Sequence, residues 1–166
     1  METLYAFGQK SGIYAFMHSA WGWPTAESLH FTGLCLLIGT VGVFDLRMLG
    51  VARGIPMHAL HNLVPWGVGG YLLNVTTGVM FVVSAPDQYL FNPAFQVKLS
   101  LMVVAGLNVL FFYRFVFAPV KAAGADAVDR GARTAAAVSL MCWIGVIVCG
   151  RLITYYRPPY HWCLWC

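Results

Sequence analysis

Residues 23–50 read WPTAESLHFTGLCLLIGTVGVFDLRMLG. A membrane span needs roughly 20 mostly apolar residues, and the stretch supplies one at about 25–49. It nevertheless carries Glu27 and His30 near one end and Asp45 and Arg47 near the other. A charged side chain inside a bilayer costs about 2.5–3.5 kcal/mol or more at the centre and less toward the interface. Such residues therefore pair with one another or serve a site.

The rest of the chain follows the same pattern. Of its 166 residues, 60% are hydrophobic and 10% charged, and the mean hydropathy is +0.71. Soluble domains carry about 25% charged residues, and a chain this short could not hide so much apolar surface from water. Lipid is the expected solvent. The net charge of +4 is small and spread over loops, so nucleic acid is not an expected partner. Residues 1–22 hold Lys10 and several aromatic residues but no continuous apolar core with a cleavage site after it, so the N-terminus is expected to be retained.

Three more spans are expected at about 59–84, 95–118 and 134–156. Backbone polar groups in lipid must bond internally, which makes each span a helix. The breaks between them hold turn residues: Gly54 and Pro56, then Pro86 and Pro93, then the charged connection 119–133. Pro65 predicts a kink in the second span. Glycines such as Gly33, Gly67 and Gly70 permit close helix approach. The expected architecture is an all-α integral membrane four-helix bundle. Residues 1–22 form an interfacial segment with a short helix, 23–157 the bundle and 158–166 a tail. Arg47, Arg53, Arg114, Lys121, Arg130 and Arg133 fall on one side, against Lys10, Lys98, Arg151 and Arg157 on the other. The positive-inside rule then puts both termini outside, in the periplasm of a Gram-negative cell. Trp21, Trp23, Tyr155, Tyr156, Tyr160, Trp162 and Trp165 form an outer aromatic belt.

With the spans antiparallel, the embedded ionisable residues sort into two groups. Glu27, His30, Lys98 and Arg151 lie near the outer boundary, with Asn92 and Gln96 at similar depth. Asp45, Arg47, His58, His61 and Arg114 lie near the inner one. Glu27 and His30 share a helix face, as do His58 and His61. One reading has interfacial ion pairs locking the bundle, Glu27 against Lys98 or Arg151 and Asp45 against Arg114.

The other reading gives a patch to a cofactor. Haem b would use His30 as an axial ligand, with Lys98 and Arg151 at the propionates and Glu27 beside them. His30 and His61 are separated by roughly 20–25 Å of helix rise, too far to share one iron. A second outer ligand would have to come from His18, His161 or a methionine. Copper or zinc would use His58 and His61, or the tail HWCLWC with His161, Cys163 and Cys166. A disulfide between Cys163 and Cys166 is the plain alternative for that tail. No nucleophilic catalytic order stands out, and enzymatic activity is not expected. Asn74, Thr76, Thr77 and Asn108 are the mid-depth polar residues, and they suit inter-helix hydrogen bonds as well as transport.

The segments WPTAESLHFTG, FDLRMLG, HNLVPWGVGGYLLNVTTGVMF, PDQYLFNPAFQVKLSLM, AGLNVLFF and WIGVIVCGRLITYY resemble a family of small bacterial inner-membrane proteins with four spans. The resemblance covers roughly 21–156, and its most specific part is W-P-x-x-E-S-L-H with F-D-L-R. A more distant likeness, in topology alone, is to the membrane domain of copper-resistance protein D and to b-type cytochrome bundles. The resemblance implies fold and location and supplies no reaction. The tail lies outside it.

The expected function is that of a non-catalytic membrane subunit. It would sit in the lipid bilayer and dock on other membrane protein subunits of a complex handling electrons. A haem b electron carrier and a copper- or zinc-handling protein stand beside it as alternatives.

Overall fold

A computed structural model describes residues 2–51, 54–116 and 130–156. Among them every regular element is helical: α1 (Glu2–Lys10), α2 (Ile13–Met17), α3 (Gly22–Leu49), α4 (Met57–His61), α5 (Val64–Ser84), α6 (Pro86–Leu90), α7 (Pro93–Phe111) with a π-helical continuation over Phe112–Val116, and α8 (Arg130–Leu152). The segments Gly22–Leu49, Ala59–Ser84, Pro93–Phe115 and Arg130–Leu152 are long and apolar enough to cross a membrane. The chain is an all-α four-helix bundle of the multi-pass membrane kind.

The helix ends follow local chemistry. Gly50 closes α3 at φ 92°, a left-handed conformation that glycine adopts without a Cβ penalty. Gly50 N–H donates to the Arg47 carbonyl and Val51 N–H to that of Leu46, the paired bonds of a Schellman cap. Asn92 caps α7 by accepting from Ala94 N–H at 3.0 Å, and Pro93 follows in the first turn, where its missing N–H costs nothing. The expected kink at Pro65 is instead a break. The chain leaves α4 at His61 and restarts as α5 at Val64, with Pro65 in the opening turn.

The N-terminal segment is two short helices rather than one. Gly12, at φ 75°, turns the chain between α1 and α2. Both helices pack on the outer end of α5. Gly8 fits so closely there that a Cβ would come within 2.8 Å of Val83 Cγ1, and the Tyr5 hydroxyl donates to Asp87 at 2.7 Å.

In the bundle, α3 packs on α5 along one side and on α8 along the other, and α8 packs on α7. Lipid offers no hydrophobic drive between helices, so close van der Waals contact through small residues must hold them. At the α3–α5 crossing a Cβ on Gly33 would stand 2.8 Å from the Gly70 carbonyl, and one on Gly70 would stand 2.6 Å from that of Gly33. Along α8, Ala132, Ala135 and Ala136 take Met48 and Phe112. One level outward, Cys142, Trp143 and Val146 pack with Leu37 and Ala105. The π-helical turn after Phe111 carries Phe112 into the first of these clusters, edge-on to Phe44 at 5.6 Å. The two outermost helices, α5 and α7, scarcely touch each other. The bundle is therefore open on one side.

Candidate functional site

The outer polar residues divide. His30 is half-buried between α3 and α5. Its Nδ1 lies 2.7 Å from Thr77 Oγ1, and its ring stands edge-on to Phe81 at 5.6 Å. The Thr77 hydroxyl already gives its single proton to the Leu73 carbonyl at 2.7 Å. His30 must therefore donate from Nδ1, which leaves the Nε2 lone pair unused among the described residues. Lys98 reaches from α7 toward α8, where its Nζ lies 3.7 Å from the position of a Cβ on Gly150. Glu27 is exposed. Arg151 is exposed too and lies over the Tyr155 ring at 5.7 Å. So His30 and Lys98 turn inward, and Glu27 and Arg151 do not join them.

The expected ion pairs do not form. Glu27 meets neither Lys98 nor Arg151, and Asp45 does not meet Arg114. Arg114 lies over the Phe115 ring instead, at 5.4 Å. Glu27 stays exposed at the outer end of α3, and Lys98 turns toward α8 instead. Asn92, expected at the same depth, has a structural task. Its Nδ2 donates to the carbonyls of Ile153 at 3.0 Å and Tyr156 at 2.8 Å, tying the start of α7 to the end of α8.

At the inner end Arg47 is buried, and its Nε donates to the Ile55 carbonyl at 2.9 Å, which pins the connection after α3. His61 is exposed. His161, Cys163 and Cys166 lie outside the described residues, as does the side chain of His58. Among the described residues no three His, Cys, Asp or Glu side chains gather as metal ligands would.

The mid-depth polar residues are satisfied at short range. Asn74 donates to Gly70, Thr76 to Leu72 and Thr77 to Leu73, each one turn back on its own helix. Only Asn108 bonds across helices with its own donor, to the Ala135 carbonyl at 2.9 Å.

The open side of the bundle holds a cleft of about 380 Å³. Its floor is α3 and α8, and its rims are α5 and α7. Apolar and aromatic side chains form the walls, among them Phe44, Tyr71, Phe112 and Tyr113. Asp45, Ser139 and Trp143 lie on the floor. Reading the sequence places Asp45 at the inner boundary but gives no role to Ser139 or Trp143. They stand four apart on α8 and so share a face, a polar pair in an otherwise apolar span that could have flagged the floor. No family model, curated protein or solved structure matches the chain.

Proposed function

We propose that the chain is a non-catalytic membrane subunit that docks in a larger membrane complex handling electrons. The observation that carries this reading is the back of α3. That helix is flanked by α5 and α8, yet among the described residues nothing covers its far face. Ser28, Thr32, Cys35 and Gly39 recur there at helical spacing, all exposed. A Cβ on Gly39 or Gly42 would meet nothing within 4 Å. A face of small residues lets another helix backbone approach closely. The exposed carboxylate of Glu27, elsewhere on the outer turn of the same helix, offers an anchor for a cationic partner group. The reading places the chain in a bacterial inner membrane with both termini in the periplasm. Arg47, Arg114, Arg130 and Arg133 at the inner end support that orientation, as does the resemblance to the four-span family.

Native membranes solubilised in mild detergent test the reading. The chain is expected to migrate within a larger assembly. Thr32→Ile combined with Gly39→Leu is expected to release it while the helices stay folded. Elution of the wild-type chain alone overturns the proposal.

The Nε2 of His30, unpartnered among the described residues, favours a second reading, a haem b carrier with Lys98 near a propionate. Isolated protein lacking a Soret band ends that reading.

A further inference from the structure

The cleft is long and narrow. Its lining runs from Leu37 to Met48 on α3 and from Met102 to Tyr113 on α7 and its continuation, which at 1.5 Å per residue is roughly 16 Å. Leu37 and Met102 stand near the middles of their spans, and Met48 and Tyr113 near the ends. The hydrocarbon core of a bilayer is about 30 Å thick, so the cleft covers the depth of one leaflet. A volume of about 380 Å³ over that length gives a mean cross-section of about 24 Å². An α-helix about 10 Å across has a section of roughly 80 Å² and does not fit. A single file of methylenes, its carbons resting about 4 Å from those of the walls, does.

The cleft opens sideways between α5 and α7, where the rim residues Val68 and Leu110 are 52% and 67% exposed. On the wall, a Cβ at Gly106 would meet nothing within 4 Å. The surface it presents is almost wholly apolar. Left empty, the walls would forfeit their dispersion contacts, so a gap that faces hydrocarbon fills with hydrocarbon.

Charge at the end of the cleft restricts the occupant further. Arg114 directly follows Tyr113 of the wall and is exposed. Arg133, two residues before Ala135 of the floor, is exposed as well. The Arg114 guanidinium lies over the Phe115 ring, which leaves the N–H groups of its edge for an anion. Among the described residues the acid at this end is Asp45, and it is buried.

We propose that the cleft holds one acyl chain of an anionic phospholipid from the leaflet at the arginine-bearing end, with the charged head at the level of Arg114 and Arg133. A zwitterionic head would bring a cation to the same arginines and gain less. The site does not depend on docking in a larger complex.

The test uses the full chain alone in lipid nanodiscs, so that its failure says nothing of the complex. The discs hold equal amounts of phosphatidylglycerol and phosphatidylcholine with the same acyl chains. Native mass spectrometry of the ejected protein identifies by mass any lipid that stays on it. One phosphatidylglycerol per chain is expected, favoured over phosphatidylcholine by about 5-fold for each arginine. Arg114→Gln combined with Arg133→Gln should erase the preference while a lipid is still retained. Gly106→Leu puts a side chain into the cleft, should strip lipid of both kinds and should raise helix propensity. Gly39→Leu also enters open space but lies outside the lining, and should change nothing. Circular dichroism melting like that of the wild type shows that each variant folds. A wild-type chain that emerges without lipid overturns the proposal, as does equal retention of the two lipids. So does retention that survives Gly106→Leu, or a preference that persists without both arginines.

Discussion

His30 Nδ1 on α3 and Thr77 Oγ1 on α5 meet at 2.7 Å, and the hydroxyl proton of Thr77 is already given to Leu73. This fixes the tautomer of His30 from outside the ring. Nitrogen-15 NMR of the wild type should show the Nδ1–H form. Thr77→Val keeps the shape and removes the acceptor, so the spectrum should become a mixture of tautomers. The loss of one inter-helix bond should cost about 0.5–1.5 kcal/mol in an SDS unfolding titration. Thr77→Ser should restore the wild-type spectrum. A spectrum identical in Thr77→Val would show that another group orients the ring.

The crossing of α3 and α5 rests on Gly33 and Gly70, each facing the other's carbonyl. At Gly70 the two nearest atoms to a methyl group are backbone, which cannot swing aside, whereas at Gly33 the Asn74 side chain comes first. Gly70→Ala should therefore destabilise the bundle by about 1–3 kcal/mol through overpacking. Gly39→Ala meets nothing within 4 Å and should be neutral or slightly stabilising, since alanine is the better helix former. Both are read by the same SDS titration. Equal effects would mean that the crossing is looser than the distances indicate.

Asn92 is fully buried, capping α7 with Oδ1 and holding the end of α8 with Nδ2. Asn92→Ala removes all three bonds and leaves carbonyls of Ile153 and Tyr156 without their donor. A cost of about 2–3 kcal/mol is expected. Asn92→Asp should cost more, because a carboxylate would face two carbonyl oxygens. Hydrogen exchange should quicken first at the start of α7 and the end of α8. Stability equal to the wild type in Asn92→Ala would remove the role.

The Tyr5 hydroxyl latches α1 to Asp87. Its hydrogen bond to the Asp87 carboxylate, with smaller help from desolvation and from the negative charge, holds the Tyr5 pKa above its ordinary value of 10.0. The folded state thus keeps a proton that the detached state gives up, and the slope of stability against pH is negative. The latch is at full strength below about pH 10, the ordinary tyrosine value, and is lost as pH rises through the higher folded value. Exchange of amides in residues 2–17 should speed up at high alkaline pH in the wild type. Tyr5→Phe should show faster exchange already at pH 8, with no further acceleration from this group. A wild-type profile that matches Tyr5→Phe at every pH would remove the latch.

What the sequence determined follows from length and solvent. Four apolar runs in a chain with few charges leave lipid as the solvent, and lipid makes each run a helix because its backbone groups have no other partner. Spans, turns and the two polar boundaries are legible on that ground, to within a few residues. Pro65 was ambiguous, since a proline serves equally as a kink or as an opening turn, and only the exit of α4 at His61 decides between them. The partners of the charges were not legible either. Helix rotation sends Glu27 to the outer face and His30 inward although they are only three residues apart, and a run apolar all round gives no clue to that rotation. Tertiary structure alone decided that α5 and α7 stay apart. The glycines of α3 and α5 draw those two helices to backbone contact and the alanines of α8 take Met48 and Phe112, while α7 closes on α8 from the far side. The cleft between the rims, with Asp45 and Trp143 on its floor, is what that unequal packing leaves.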